Sequence, residues 1–192
     1  MLDRRVFLAS GASFLTTPVL ALSTDRSLTL VQNLVADVNA VIASGQSESQ
    51  MIRSFESIFD KYSDVPTIAR YCLGADGRSA SSAQMSAYTS AFRSYIATKY
   101  GRRFREFIGG EIAVVGAKPV KSWVEVETTV LLRGQNPFQM DWHVSDRSGQ
   151  HRFFNFIIEG VNMLLAERAE IGAMLDRNRG SIDDLITDMQ NI

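Results

Sequence analysis

Two histidines, His143 and His151, and a single cysteine, Cys72, limit the chemistry this chain can perform. One cysteine excludes an internal disulfide and a thiolate zinc site, and two histidines are too few for a His-rich metal centre. Asp141 and His143 stand two apart in an alternating stretch, so they share one face of a strand, a spacing that suits an acid and a base. That face is the polar one, opposite Met140 and Trp142, and reads as solvated surface. Asp183 and Asp184 fall in the first turn of a helix, where carboxylates complement the macrodipole. Gly109-Gly110 lacks the spacing and the following Lys-Ser/Thr of a phosphate loop, and no Gly-x-Ser-x-Gly elbow occurs. No catalytic residue, metal site or cofactor is assigned from these residues.

The basic run Lys99, Arg102, Arg103 and Arg105 is the main charged feature. Cations near the C-terminal end of a helix complement its dipole, which is one reading. The other is a docking patch for an acidic partner or for anionic headgroups. The net charge of −1 gives no bulk basic character, so nucleic acid is not an expected partner.

Hydrophobic spacing predicts the elements that would position these groups. Leu28, Val31, Leu34, Val35, Val38, Val41 and Ile42 recur at helical spacing, which predicts a helix over 26–44 ended by Gly45. Ser47 or Ser49 opens a second helix carrying Met51, Ile52, Phe55, Ile58 and Phe59. Asp64 with Pro66 starts a third that runs to Gly74. Ser81 or Ser82 opens the longest, 82–107, closed by Gly109-Gly110. The period then changes to two. Strands are predicted at Ile112–Val115, Trp123–Leu131, Phe138–Ser145 and His151–Ile158. The last is apolar on both faces, with Phe154, Phe156 and Ile158 on one and Phe153 and Ile157 on the other. Helices follow at 161–177 and 182–190, the second opened by Ser181 with Asp184 three residues on. Helices flanking an antiparallel meander make an α+β fold of four strands. A curved sheet wrapped around a long helix would enclose an apolar interior.

The first 23 residues read as a cleaved export signal. Asp3-Arg4-Arg5-Val6-Phe7-Leu8 fits the twin-arginine pattern, a short apolar stretch follows, and Val19-Leu20-Ala21 fits a cleavage site. The stretch is shorter than the ~20 residues of a membrane span. Residues 24–192 are then a single domain.

Three segments resemble a known family. Ala69-Arg70-Tyr71-Cys72-Leu73-Gly74 with Ser81-Ser82-Ala83-Gln84 is similar to one of its helix junctions, and Phe92-Arg93-Ser94-Tyr95-Ile96-Ala97 through Tyr100 to one of its helices. Phe154 to Leu164, with Glu159-Gly160-Val161 and Arg168 after it, is the most specific of the three. The chain thus resembles the MlaC-type (toluene-tolerance) family of periplasmic phospholipid-binding proteins. The resemblance implies a fold related to the NTF2-like cone, with acyl tails between sheet and helices. It also implies a monomeric shuttle between an outer-membrane lipoprotein complex and an inner-membrane ABC-type lipid transporter complex that maintains outer-membrane lipid asymmetry.

The eleven Phe and seven Met of the chain supply soft apolar volume for either a core or a flexible ligand. Phe92, Tyr95, Ile96, Val126, Val130, Met140, Trp142, Phe154, Phe156, Ile158 and Val161 are the expected lipid-binding residues. Two tails are expected to need a cavity at or above the upper end of the usual ~300–1,000 Å³. Two other readings compete. One is an exported cone-fold enzyme with Asp141 and His143 as acid and base. The other is a binding module for a different hydrophobic molecule, such as a hopanoid or a sterol-like compound.

Overall fold

The computed structural model describes residues 22–192, with the side chains of Phe104 and Arg105 excepted. Apart from Leu22 and Ser23, the expected export signal lies outside the described residues. Helix α1, Thr24–Ala43, buries Val31, Leu34, Val35, Val38, Val41 and Ile42, and the Ser23 hydroxyl accepts from the Arg26 N–H at its start. In α2, Glu48–Tyr62, Gln50 reaches back to accept from the Ser47 N–H at 2.9 Å. Asp64 caps α3, Val65–Leu73, through the Thr67 N–H, with Pro66 in the first turn. Ser81 and Gln84 cap α4, Ser82–Gly101, by exchanging hydrogen bonds at 3.1 Å in both directions. Gln84 also donates to Asp183, which ties this cap to the start of the last helix.

The long helix is shorter than its spacing predicts. It ends at Gly101, and Arg102–Phe107 continue as a tighter 3-10 turn. Gly101 has a packing reason: a Cβ there would come within 2.9 Å of the Ile52 backbone, so only glycine lets α4 lie this close to α2.

The sheet is an antiparallel meander of five strands rather than four: β1 Glu111–Val120, β2 Trp123–Leu131, β3 Phe138–Ser145, β4 Arg152–Ile158 and the two-residue β5 Val161–Asn162. The expected short first strand is the longest one. Gly116 and Pro119 read as breakers, but β1 lies at the sheet edge, where proline is tolerated, and a bulge between Val114 and Gly116 absorbs the irregularity. Asn39 of α1 pairs with this strand like a backbone segment, donating to the Ile112 carbonyl and accepting from its N–H. The final helices are α5, Met163–Arg177, and α6, Ile182–Gln190.

Register sets which side chains face inward. Val124 pairs with Val144, Val126 with Trp142, Thr128 with Met140, and Val130 with Phe138, so all eight share the inner face. Helix α1 crosses β1, β2 and β3, α2 packs on α4, and α4 on α6. Helices α3 and α5 pack together and against β4. No helix among the described residues is long and apolar enough to cross a membrane.

Candidate functional site

The helices and the inner sheet face do not close on each other. Between them lies a cavity of about 490 Å³. Leu34 and Val38 of α1, Phe55, Ile58 and Phe59 of α2, and Ile96 and Tyr100 of α4 form the helical wall. Phe138, Met140 and Trp142 of β3 and Phe153, Phe156 and Ile158 of β4 form the sheet wall. A chain of ring contacts runs along it: Phe55 to Phe59, Phe59 to Phe153, Phe153 to Trp142, Trp142 to Phe156, and Phe156 to Tyr100, with centroids 5.2–6.2 Å apart.

The polar atoms of this wall are already engaged. The Trp142 indole N–H donates to the Thr128 hydroxyl at 3.2 Å, and that hydroxyl donates to the Met140 carbonyl at 2.6 Å. The Tyr100 hydroxyl turns away to donate to Glu167. Among the described residues that line the cavity, charge is found only at the mouth, where Arg103, Glu106 and Glu159 are exposed.

Behind Tyr100, α4 and α5 are held by a polar network. Lys99 donates to Glu167 at 2.8 Å and also to Glu170, which accepts from the Tyr95 hydroxyl. Glu167 is 5 % exposed. Burial, reinforced by the carboxylates, pushes both tyrosine hydroxyls well above their usual range. Partial burial opposes ionisation of Glu170, but hydrogen bonds from Lys99 and Tyr95 outweigh it and hold the carboxyl below its ordinary value. Burial likewise opposes the charge on Lys99, and hydrogen bonds to Glu167 and Glu170 outweigh that and raise it.

The structure places the predicted residues in three groups. Ile96, Met140, Trp142, Phe156, Ile158 and Val161 line the cavity. Phe92, Val126 and Val130 are fully buried in the core outside the lining, and Tyr95 belongs to the polar network. Phe154 lies on the opposite face of the sheet, against Trp123 and His143. The reason is a bulge: Val144 pairs with Phe153 and His143 with Asn155, so Phe154 is the extra residue. Beyond the bulge Phe156 and Ile158 face inward as expected, but Phe153 joins them, where simple alternation puts it on the other side.

Among its described side chains, the basic run is dispersed over different partners. Lys99 is held by two carboxylates, Arg102 donates to the Ile192 carbonyl, and Arg103 pairs with Glu106 at the mouth. The Arg105 side chain lies outside the described ones. His143 is not solvated as its face suggests. Its side chain is 12 % exposed, bonded to Glu125 at 3.2 Å and in tilted ring contact with Trp123. Asp141 instead accepts from Gln139. Both sit on the sheet face away from the cavity, so no acid/base pair points into it. Cys72 is buried, and burial pushes its thiol up to about 12. No cluster suited to a metal ion occurs among the described residues.

The second signal missed in the sequence is the helical wall. Leu34, Val38, Ile58 and Phe59 are legible as apolar stripes, but spacing cannot distinguish a side chain that fills the core from one that borders a void.

A phospholipid-binding protein from Ralstonia solanacearum, solved in complex with a phospholipid, superposes with a TM-score of 0.73. It is 16 % identical, and the match covers 86 % of this chain and 95 % of that one, so the likeness is one of fold. The MlaC protein family model matches residues 30–191, nearly all of the described chain. On that match the chain belongs to the MlaC family.

Proposed function

We propose that this protein is a carrier that holds a phospholipid by its acyl tails in the cavity between sheet and helices. The composition of the wall carries the reading: among the described residues the interior is hydrocarbon, with charge only at the mouth. Acyl tails have no hydrogen-bonding groups, so a wall whose polar atoms are already paired suits them. A phospholipid carries roughly thirty tail methylenes, and at about 0.8 kcal/mol each their exposure to water costs on the order of 20 kcal/mol. Passage through an aqueous compartment therefore needs a dry container. Membership of the MlaC family and the phospholipid held by the Ralstonia relative both support the reading.

The volume of about 490 Å³ lies in the lower half of the usual range, below what was expected for two full tails. Loading of both requires the mouth to widen. In the fuller form of this proposal the protein is exported by the twin-arginine signal in residues 1–23. It works in the periplasm as a monomer and exchanges lipid with an inner-membrane ABC-type transporter complex and an outer-membrane lipoprotein complex. Outer-membrane lipid asymmetry is maintained in this way, and the protein performs no catalytic step.

Native mass spectrometry of the purified protein is expected to show bound phospholipid. Trp142→Asp, which puts a charge into the wall, should abolish it while circular dichroism stays unchanged. Ile158→Asp, on the same wall but less buried, guards against misfolding. Lipid-free wild-type protein from several preparations would overturn the proposal.

A further inference from the structure

The mouth of the cavity carries an unbalanced carboxylate. Arg103 is 3.6 Å from Glu106, one helical turn on, so these two largely neutralise each other. Glu159 has no ion-pair partner among the described residues, and it too lines the cavity. The turn that carries it is unusual in its choice of residue. Glu159 and Gly160 form the two-residue connection between β4 and β5, and both have positive φ, 47° and 80°. Such turns favour Asn, Asp or Gly at the first position, because a side chain like that of Glu is strained there. The Glu159 N–H donates to the Gln139 carbonyl, which fixes the turn and the side chain it projects over the mouth.

A lipid with its tails in the cavity must leave its headgroup at this lip. A purely anionic headgroup would bring more negative charge to Glu159 and Glu106, where Arg103 is the one lining cation among the described side chains. A headgroup that carries both a phosphate and an ammonium can match the lip. Its phosphate lies toward Arg103 and its ammonium toward Glu159. We propose that the lip selects zwitterionic, amine-bearing phospholipids over anionic ones and that Glu159 is the specificity-determining residue. This rests on the carrier reading and names its cargo class. The lip is exposed, so the preference is modest, about two- to five-fold at low ionic strength, the range of exposed ion pairs. It should fade as salt screens it.

The test uses delipidated protein incubated with mixed vesicles of phosphatidylethanolamine and phosphatidylglycerol with identical acyl chains. One vesicle presents both lipids, so the surface charge of the donor affects them equally. Native mass spectrometry then counts each lipid on the protein. Wild type should hold the ethanolamine lipid in about two- to five-fold excess. Glu159→Gln should bring the ratio to parity. Equal loading by wild type, or a ratio that Glu159→Gln leaves untouched, overturns the selectivity while the carrier reading stands. If neither lipid loads at all, both readings fall together.

Discussion

Lys99 illustrates how far a charged side chain can depart from the role its sequence suggests. It lies in a basic run, yet it donates to Glu167 and Glu170 between two helices, and Glu167 is almost wholly buried. Lys99→Met would leave the Glu167 carboxylate with only the Tyr100 hydroxyl among the described side chains. Breaking one side of a buried pair costs about 3 kcal/mol, and urea unfolding should show a loss near that size. Glu167→Gln leaves Lys99 paired with Glu170 and should cost nearer 1 kcal/mol, the value of one hydrogen bond. Equal losses in the two variants would mean that the network is not organised around Glu167. The Asp141 and His143 pair teaches the same lesson: shared strand face was legible from spacing two, but His143 is surrounded by Trp123 and Glu125 of β2 and Asn155 of β4, brought there by the two neighbouring strands.

Among the elements, β4 and the start of α5 decide the most. The bulge at Phe154 places Phe153, Phe156 and Ile158 on one wall and turns Asn155 toward α5. Asn155 then accepts from the Leu164 N–H at 3.0 Å while Asn162 accepts from that of Leu165, so two orphan donors of the helix are satisfied by two side chains. Asn155→Ala should cost about 1–2 kcal/mol in thermal or chemical unfolding, since it removes a cap at a buried position. A loss below the error of the measurement would show that Asn162 alone suffices. The bulge had no readable signal in the sequence. An extra residue in a strand of Phe and Ile leaves the composition of both faces apolar, so the alternation looks intact.

For the molecule as a whole, the unfilled interior is the feature that matters. Unfilled apolar volume weakens a protein, by about 24 cal/mol per Å³ in engineered cavities, so a space of this size is a cost of function. Val38 lines the cavity from α1 and is buried. Val38→Phe extends into the space, and it should raise the unfolding midpoint, equivalent to about 1 kcal/mol, while lowering phospholipid loading. A variant that is more stable and loads lipid as well as wild type would place the cargo elsewhere. One that is less stable would show the space near Val38 to be already filled.

The sequence by itself determined the order of the six helices and the first four strands, the helix caps at Asp64 and Ser181, the antiparallel meander and the inward face of β3, because each follows from local spacing and local hydrogen bonds. It did not determine where α4 stops, that Gly116 and Pro119 continue an edge strand, or that Phe154 points outward, since these depend on a neighbouring helix or strand. Least of all could it determine that Leu34, Val38, Phe59 and Trp142 border an empty space. Hydrophobic periodicity records which side of an element avoids water. Whether the opposing sides meet is set by the distance between them, and only the tertiary structure fixes that distance.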